Sequence, residues 1–268
     1  MLERECKMKL KFLNTLLFGA IVAVGTLANV ANAGLISSWN LNGDYSDVSG
    51  NGHDGTGYGT NFVADSSGSG NGLSASFNRN YIALNQSFSG VGSLPELSAS
   101  AWFKTTATGN WTSNWALLDF DRSEFFNMFV TGAGEIGFST RSGSEINDMF
   151  SSMSGLNDGN WHHVAVTYGA SAGKNIYIDG SLDSSIASMG ALGTSATRFG
   201  FIGDGSEAST FNAARNNLYY DGLISEVKIW DNALNAEEVR TEVPEPSTLA
   251  IFSLAIMGLA SRRFKKKS

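Results

Sequence analysis

Along the middle of the chain, short apolar runs alternate with polar residues at a period of two. That period puts successive side chains on opposite faces of an extended strand. Between Leu97 and Thr105, Leu97, Ala99, Ala101 and Phe103 share one face; Ser98, Ser100, Trp102 and Lys104 share the other. Between Trp161 and Tyr168, His162, Val164, Val166 and Tyr168 alternate with Trp161, His163, Ala165 and Thr167. Two further runs flank Asp179-Gly180, a pair suited to a two-residue hairpin turn whose central positions both need positive φ. Residues 223–230 alternate again, and residues 235–240 read as one short helix with Asn235 as N-cap and acids in its first turn. About a dozen strands with no interposed helix leave no βαβ crossover. The expected body is all-β, with two antiparallel sheets packed face to face as a sandwich.

The two ends follow a different pattern. Lys7, Lys9 and Lys11 precede an apolar run from Leu16 to Leu27, which closes on Ala31-Asn32-Ala33. The run is shorter than the roughly 20 apolar residues of a permanent span. It reads as a cleavable signal peptide over residues 1–33, with Ala31 and Ala33 as the small cleavage-site residues. At the other end, Pro244-Glu245-Pro246 precedes an apolar stretch from Leu249 to Ala260, followed by Arg262, Arg263, Lys265, Lys266 and Lys267. A rigid motif, a short membrane-seeking helix and a cationic stop held on the cytoplasmic side follow in that order. Hydropathy alone allows a plain membrane anchor equally well. The three parts together, over residues 243–268, resemble the PEP-CTERM sorting signal. That resemblance implies export through signal peptidase, transient membrane insertion of a C-terminal transmembrane helix, and processing by an exosortase. It further implies delivery to the cell surface or extracellular matrix of a Gram-negative-type bacterium.

Setting these ends aside leaves residues 34–242 as one domain of ordinary size for an all-β sandwich. The single cysteine, Cys6, lies in the signal peptide, so the body has no thiol or disulfide chemistry. The whole chain carries a net charge of −7, but residues 34–243 hold nine basic against 22 acidic residues, a net of −13. Such a body is repelled by phosphate backbones, which argues against nucleic-acid binding.

Five stretches in sequence resemble the laminin-G-like jelly roll of the concanavalin A-like lectin/glucanase superfamily: residues 37–57, 75–84, 97–105, 159–185 and 219–239. The resemblance implies a jelly-roll sandwich in which the opening strand lies beside the closing one.

Candidate chemistry is sparse. His162 and His163 are adjacent on a strand and face opposite ways, so they cannot ligate one metal together. No G-x-S-x-G elbow and no Walker loop is present. The superfamily's glucanases carry E-x-D-x-x-E or E-x-D-x-E on one strand, and that spacing does not occur; Asp119 and Asp121 share a face without matching it. Calcium is the candidate cofactor, in a structural role. Hard cations take oxygen ligands, and the glycine-rich stretch after the first strand offers Asp44, Asp47, Asn51 and Asp54. The resemblance would bring Glu226 beside them. Many relatives read I-D-E where this chain has Ile224-Ser225-Glu226, which removes one ligand. The alternative reading of the loop is a set of turns capped by its own Asp and Asn side chains. For sugar stacking the candidates are Trp111 and Trp115, set among small polar residues; the alternative is structural, with Trp115 buried at the start of a strand and Trp111 pinning the loop. The expected function is an exported, non-catalytic carbohydrate- or protein-binding module, with exopolysaccharide or other glycans as partners. A hydrolase-like enzyme of the superfamily and a purely structural surface protein are the alternatives.

Overall fold

The computed structural model describes residues 34–65, 70, 72–84, 95–108, 115–120, 126–142, 145–169, 172–187, 192, 200–205 and 219–243. The strands in chain order are β1 (Leu35–Trp39), β2 (Thr56–Tyr58), β3 (Asn61–Val63), β4 (Ser74–Asn78) and β5 (Tyr81–Leu84). They continue with β6 (Glu96–Lys104), β7 (Trp115–Phe120), β8 (Phe126–Val130), β9 (Ile136–Ser142) and β10 (Glu145–Phe150). The last are β11 (His162–Gly169), β12 (Gly173–Ile178), β13 (Ser181–Ile186), β14 (Gly200–Ile202) and β15 (Asp221–Trp230), followed by the helix α1 (Ala236–Thr241). One sheet has the order β13-β12-β11-β6-β15-β4-β3 with β1 also on β15; the other runs β10-β9-β8-β7-β14-β5-β2. All strand pairings among the described residues are antiparallel. This is the expected two-sheet sandwich of jelly-roll type. Residues 1–33 and 244–268, with Ala31, Ala33, Pro244, Glu245 and Pro246, lie outside the described residues.

Alternation decides which side chains meet between the sheets. Leu97, Ala99, Ala101 and Phe103 of β6 and Val164, Val166 and Tyr168 of β11 pack with Phe126, Met128 and Val130 of β8 and Ile136 and Phe138 of β9. Each large side chain so buried contributes roughly 1.5–3 kcal/mol. In β15 a bulge between Ser225 and Lys228 resets the alternation, with Glu226 at φ 46°. Ile224, Val227 and Ile229 can therefore all face the core. Asp179 and Gly180 take φ values of 49° and 78°, as the two-residue turn requires.

The outer surface of the larger sheet carries a second, smaller core. Ala165, Tyr177 and Trp230 pack there with Leu234 and Val239 of the helical segment. A helix of six residues does not stand by itself; burial of Val239 and a capping box at its start hold it. Asn235 accepts from the Glu237 and Glu238 amides, and Glu238 accepts from the Asn235 amide.

Neighbouring histidines meet opposite environments because the strand points them apart. His162 stands 3.0 Å from Asp179 and 3.3 Å from Asp158. The hydrogen bond with Asp179 raises its pKa against the effect of partial burial. His163 is fully buried beside Trp102, ring centroids 5.3 Å apart. Burial first, then the Lys228 charge, pushes it down to about 3. Lys174 reaches inward from β12, donating to the Phe138 carbonyl at 3.0 Å with its ammonium 4.3 Å from that ring's centroid. Burial pushes its pKa down to about 7. The folded state thus releases a proton that the unfolded chain keeps up to the ordinary value of 10.5. Stability should rise with pH from about 7 to 10.5, on the order of a few kcal/mol in all. Urea midpoints measured across that window should climb for the native chain and stay level for Lys174→Met.

Candidate functional site

The outer face of the seven-stranded sheet presents one continuous row of side chains. Phe201 of β14 pairs in register with Asp119 of β7, Asp119 with Asn127 of β8, Asn127 with Ser139 of β9, and Ser139 with Asp148 of β10. The middle of the row is hydrogen-bonded. The Asn127 amide, oriented to satisfy both acceptors, donates to Asp119 and to the Phe126 carbonyl, and the Ser139 hydroxyl donates to Asp148. Asp119 is buried at the row's centre, whereas Asp148 is exposed at its edge.

Aromatic rings flank this polar centre on both sides. Towards the β2 edge, Tyr58 and Tyr81 stack with centroids 4.8 Å apart and planes 16° apart. Phe201 meets Tyr81 edge-on at 5.7 Å. Tyr58 keeps 45% of its surface exposed. Towards the β10 edge, Phe129 and Phe150 make a T-shaped pair at 6.1 Å across Gly137. A Cβ on Gly137 would stand 2.1 Å from the Phe129 ring, so only glycine leaves room for that ring to lie over β9.

The loop between β1 and β2 is organised around one carboxylate. Asp47 Oδ1 accepts from the Ser38 and Ser49 amides, both at 2.9 Å. Its Oδ2 accepts from the Ser49 hydroxyl at 2.9 Å and the His53 amide at 3.0 Å. Burial alone would raise the Asp47 pKa; the bonds from Ser38, Ser49 and His53 outweigh it and hold the carboxyl below the ordinary range. Asp54 accepts from the Asp47 amide, Asp44 from the Ser46 amide, and the Asn51 amide group donates to the Leu35 and Ile36 carbonyls. The indole of Trp39 donates to the His53 carbonyl at 2.8 Å and ties the loop to the core.

The family follows from comparison with known proteins. Over residues 54–240 the chain matches the model of the concanavalin A-like lectin/glucanases superfamily. The chain belongs to this superfamily. Residues 242–266 match the PEP-CTERM protein-sorting motif, which indicates an exported, exosortase-processed protein with transient membrane anchoring. Among solved structures, similarity extends to domain 4 of a GH43 extracellular arabinanase from Geobacillus stearothermophilus in complex with arabinotriose. The TM-score is 0.61 at 20% identity, covering 79% of this chain and 99% of that one. The binding domain of Paraclostridial Mosquitocidal Protein 1 gives a TM-score of 0.60 at 14% identity, over 79% of this chain and 52% of that chain. The receptor-binding domain of botulinum neurotoxin type G gives 0.57 at 16% identity, over 79% and 51%. At these identities the likeness is one of fold. A rat protein, "Sushi, von Willebrand factor type A, EGF and pentraxin domain-containing protein 1", is 32% identical over 91 residues. That match covers 32% of this chain and 2% of that protein's length.

As the superfamily resemblance implies, β1 pairs with β15, Ser38 opposite Lys228 and Trp39 opposite Val227. Glu226 nevertheless turns to Lys228 at 3.0 Å, and Lys228 also binds Glu242 at 2.6 Å. Asp44, Asp47, Asn51 and Asp54 serve the loop's own turns. Among the described residues no group of three or more His, Cys, Asp or Glu side chains is arranged to hold a metal ion. These hydrogen bonds are the ones a set of turns capped by its own Asp and Asn side chains would make. Trp111 and the Trp115 side chain lie outside the described residues. No described helix is long and apolar enough to cross a membrane. Tyr58 and Tyr81 belong to no motif that singles them out in the sequence; only the alternation of Tyr81 and Ala83 with Ile82 and Leu84 marks which of them face outward.

Asp47→Ala strands four donors, three backbone amides and the Ser49 hydroxyl. Hydrogen bonds to a charged acceptor contribute roughly 1.5–3 kcal/mol each and do not add fully, so a loss of about 3 kcal/mol is expected. Chemical denaturation should show it, and calcium in the buffer should not restore it.

Proposed function

We propose that this domain is a non-catalytic binding module that lays a chain-like glycan across the outer face of its seven-stranded sheet. The observation that carries this reading is the exposed Tyr58–Tyr81 stack on the same face as the polar row from Asp119 to Asp148, two positions along β5 from Ala83, where that row ends beyond Phe201. Aromatic faces suit the apolar faces of sugar rings, and a few fixed polar groups beside them orient hydroxyls. The arabinanase domain seen with arabinotriose and the toxin binding domains support a binding role for this architecture, although fold alone does not assign one. Exported and trimmed at its PEP tail, the module would be held at the cell surface or in the extracellular matrix, where exopolysaccharide is the fitting partner.

The hydrolase alternative meets a geometric obstacle on this face. Asp119 and Asp148 are three strands apart, about 14 Å at the usual strand spacing. Glycoside hydrolysis needs paired carboxyls roughly 5–9.5 Å apart across the scissile bond.

A glycan array probed with residues 34–243 should give binders, with no sustained release of reducing sugar. Tyr58→Ala should weaken binding roughly tenfold, the scale of an exposed aromatic anchor. Binding that survives Tyr58→Ala and Tyr81→Ala but is lost with Trp111→Ala would move the site to the loop before β7. An array without binders would leave the purely structural role.

A further inference from the structure

Two corners of the chain meet beside the Tyr58–Tyr81 stack. Gly59-Thr60 carries the chain from β2 in the seven-stranded sheet to β3 in the larger one, and Arg79-Asn80 carries it back from β4 to β5. Side chains tie the corners together. The Asn80 amide group donates to the Gly59 carbonyl at 3.0 Å, and its oxygen accepts from the Asn78 amide at 3.2 Å. The Thr60 hydroxyl donates to the Tyr81 carbonyl at 3.1 Å.

The second corner holds an arginine in an unfavourable conformation. Arg79 has φ 59°, in the left-handed region where a Cβ crowds its own backbone and glycine or asparagine sits more easily. Such residues persist where the surroundings fix them, and they concentrate at functional positions. The bonds of Asn80 already fix this turn, so what arginine adds is its side chain. Arg79 is exposed. Among the described residues Lys104 pairs with Asp65, Lys228 with Glu226 and Glu242, and Arg240 with Glu237; Arg79 makes no ion pair and no side-chain hydrogen bond. Residues 34–243 hold nine basic against 22 acidic residues, so a cation left without a carboxylate stands out.

Tyrosines surround it. Tyr58 and Tyr81 stack beside the corner, and Tyr219 is half-buried nearby. Burial first, then the Asp204 and Tyr81 charges, raises the Tyr219 pKa, and the Arg79 charge opposes them. Arg79 and Tyr81 are thus both neighbours of Tyr219. An exposed ring stack with a guanidinium at its margin suits a particular sugar. The ring takes the apolar face of a pyranose, and the planar guanidinium takes a carboxylate through paired N–H donors. The acidity of the whole body repels a densely charged polyanion. A single acidic sugar meets mainly the local cation, because charges beyond about 10 Å are screened at 0.1 M salt.

We propose that the Tyr58–Tyr81 ledge is the subsite for an acidic sugar, a uronate spaced among neutral residues of a glycan, and that Arg79 selects its carboxylate. The proposal rests on the glycan-binding reading above and adds the charge of the ligand to it.

The full chain, solubilised in detergent, is probed with oligosaccharides that carry one glucuronate or galacturonate, each beside its carboxyl-reduced form. The acidic form should bind roughly three- to fivefold more tightly at low salt, the scale of an exposed ion pair, and the margin should close as salt rises. Arg79→Asn suits the left-handed turn and should bring the ratio of the two affinities to one. Arg79→Lys should keep part of the preference. The melting temperature of Arg79→Asn should equal or exceed that of the native chain, which shows that the fold is kept. Equal binding of both forms by the native chain overturns the acidic subsite and leaves the glycan-binding reading standing. A preference that persists in Arg79→Asn overturns it too, since another cation, such as the basic tail, then supplies the charge. Absence of binding to either form overturns both readings.

Discussion

Burial of every second side chain between two sheets governs where all else in this domain can stand. Once Leu97, Ala99, Ala101 and Phe103 are committed to the interior, Ser98, Ser100, Trp102 and Lys104 have no choice of face. The same holds on β7, β8 and β9, where Phe120, Met128 and Phe138 go inward and Asp119, Asn127 and Ser139 are carried outward into one row. The candidate ligand face is thus the complement of the core. A slip of one residue would invert both together. Even the bulge at Glu226 serves this constraint, since without it Val227 and Ile229 could not follow Ile224 into the interior.

Polar groups drawn into such a body must be satisfied by neighbours, and the ways they are satisfied differ. The Asp47 side chain is enclosed by a glycine-rich loop, and four donors converging on it favour its charged form. His163 meets burial without that help and stays neutral over the physiological range. His162, one residue earlier, is stabilised as a cation between two carboxylates. Lys174 lies between these cases: its ammonium has a carbonyl and a ring to face but little solvent, so it holds its proton weakly. Adjacent residues of one type can behave oppositely because a strand turns them to opposite surroundings.

The superfamily uses the same sandwich for binders and hydrolases, so the arrangement of side chains on the faces carries the functional distinction. Here the seven-stranded sheet sets aromatic rings at both margins of a hydrogen-bonded polar centre. Asp119 and Asp148 stand three strands apart on that face. The larger sheet is different in kind: its outer surface is partly closed by α1, and Trp102 and His163 are buried there side by side.

Periodicity, turn chemistry and capping were legible in the sequence because each is local. The two faces of β6 and β11, the Asp179-Gly180 turn, the Asn235 cap, the sorting motif and the superfamily's five stretches need no knowledge of distant contacts. Alternation also says which residues face outward, but not which strands become neighbours. Tyr58, Tyr81, Phe201, Asp119, Asn127, Ser139 and Asp148 are scattered over more than 140 positions, and only strand order brings them into one surface. The loop near β1 shows the same limit from the other side: the sequence supplies its acids, and only the fold brings the backbone amides of Ser38, Ser49 and His53 onto Asp47 and sets Lys228 beside Glu226. Strand identity is written in neighbouring residues, whereas the company a side chain keeps is settled by long-range pairing.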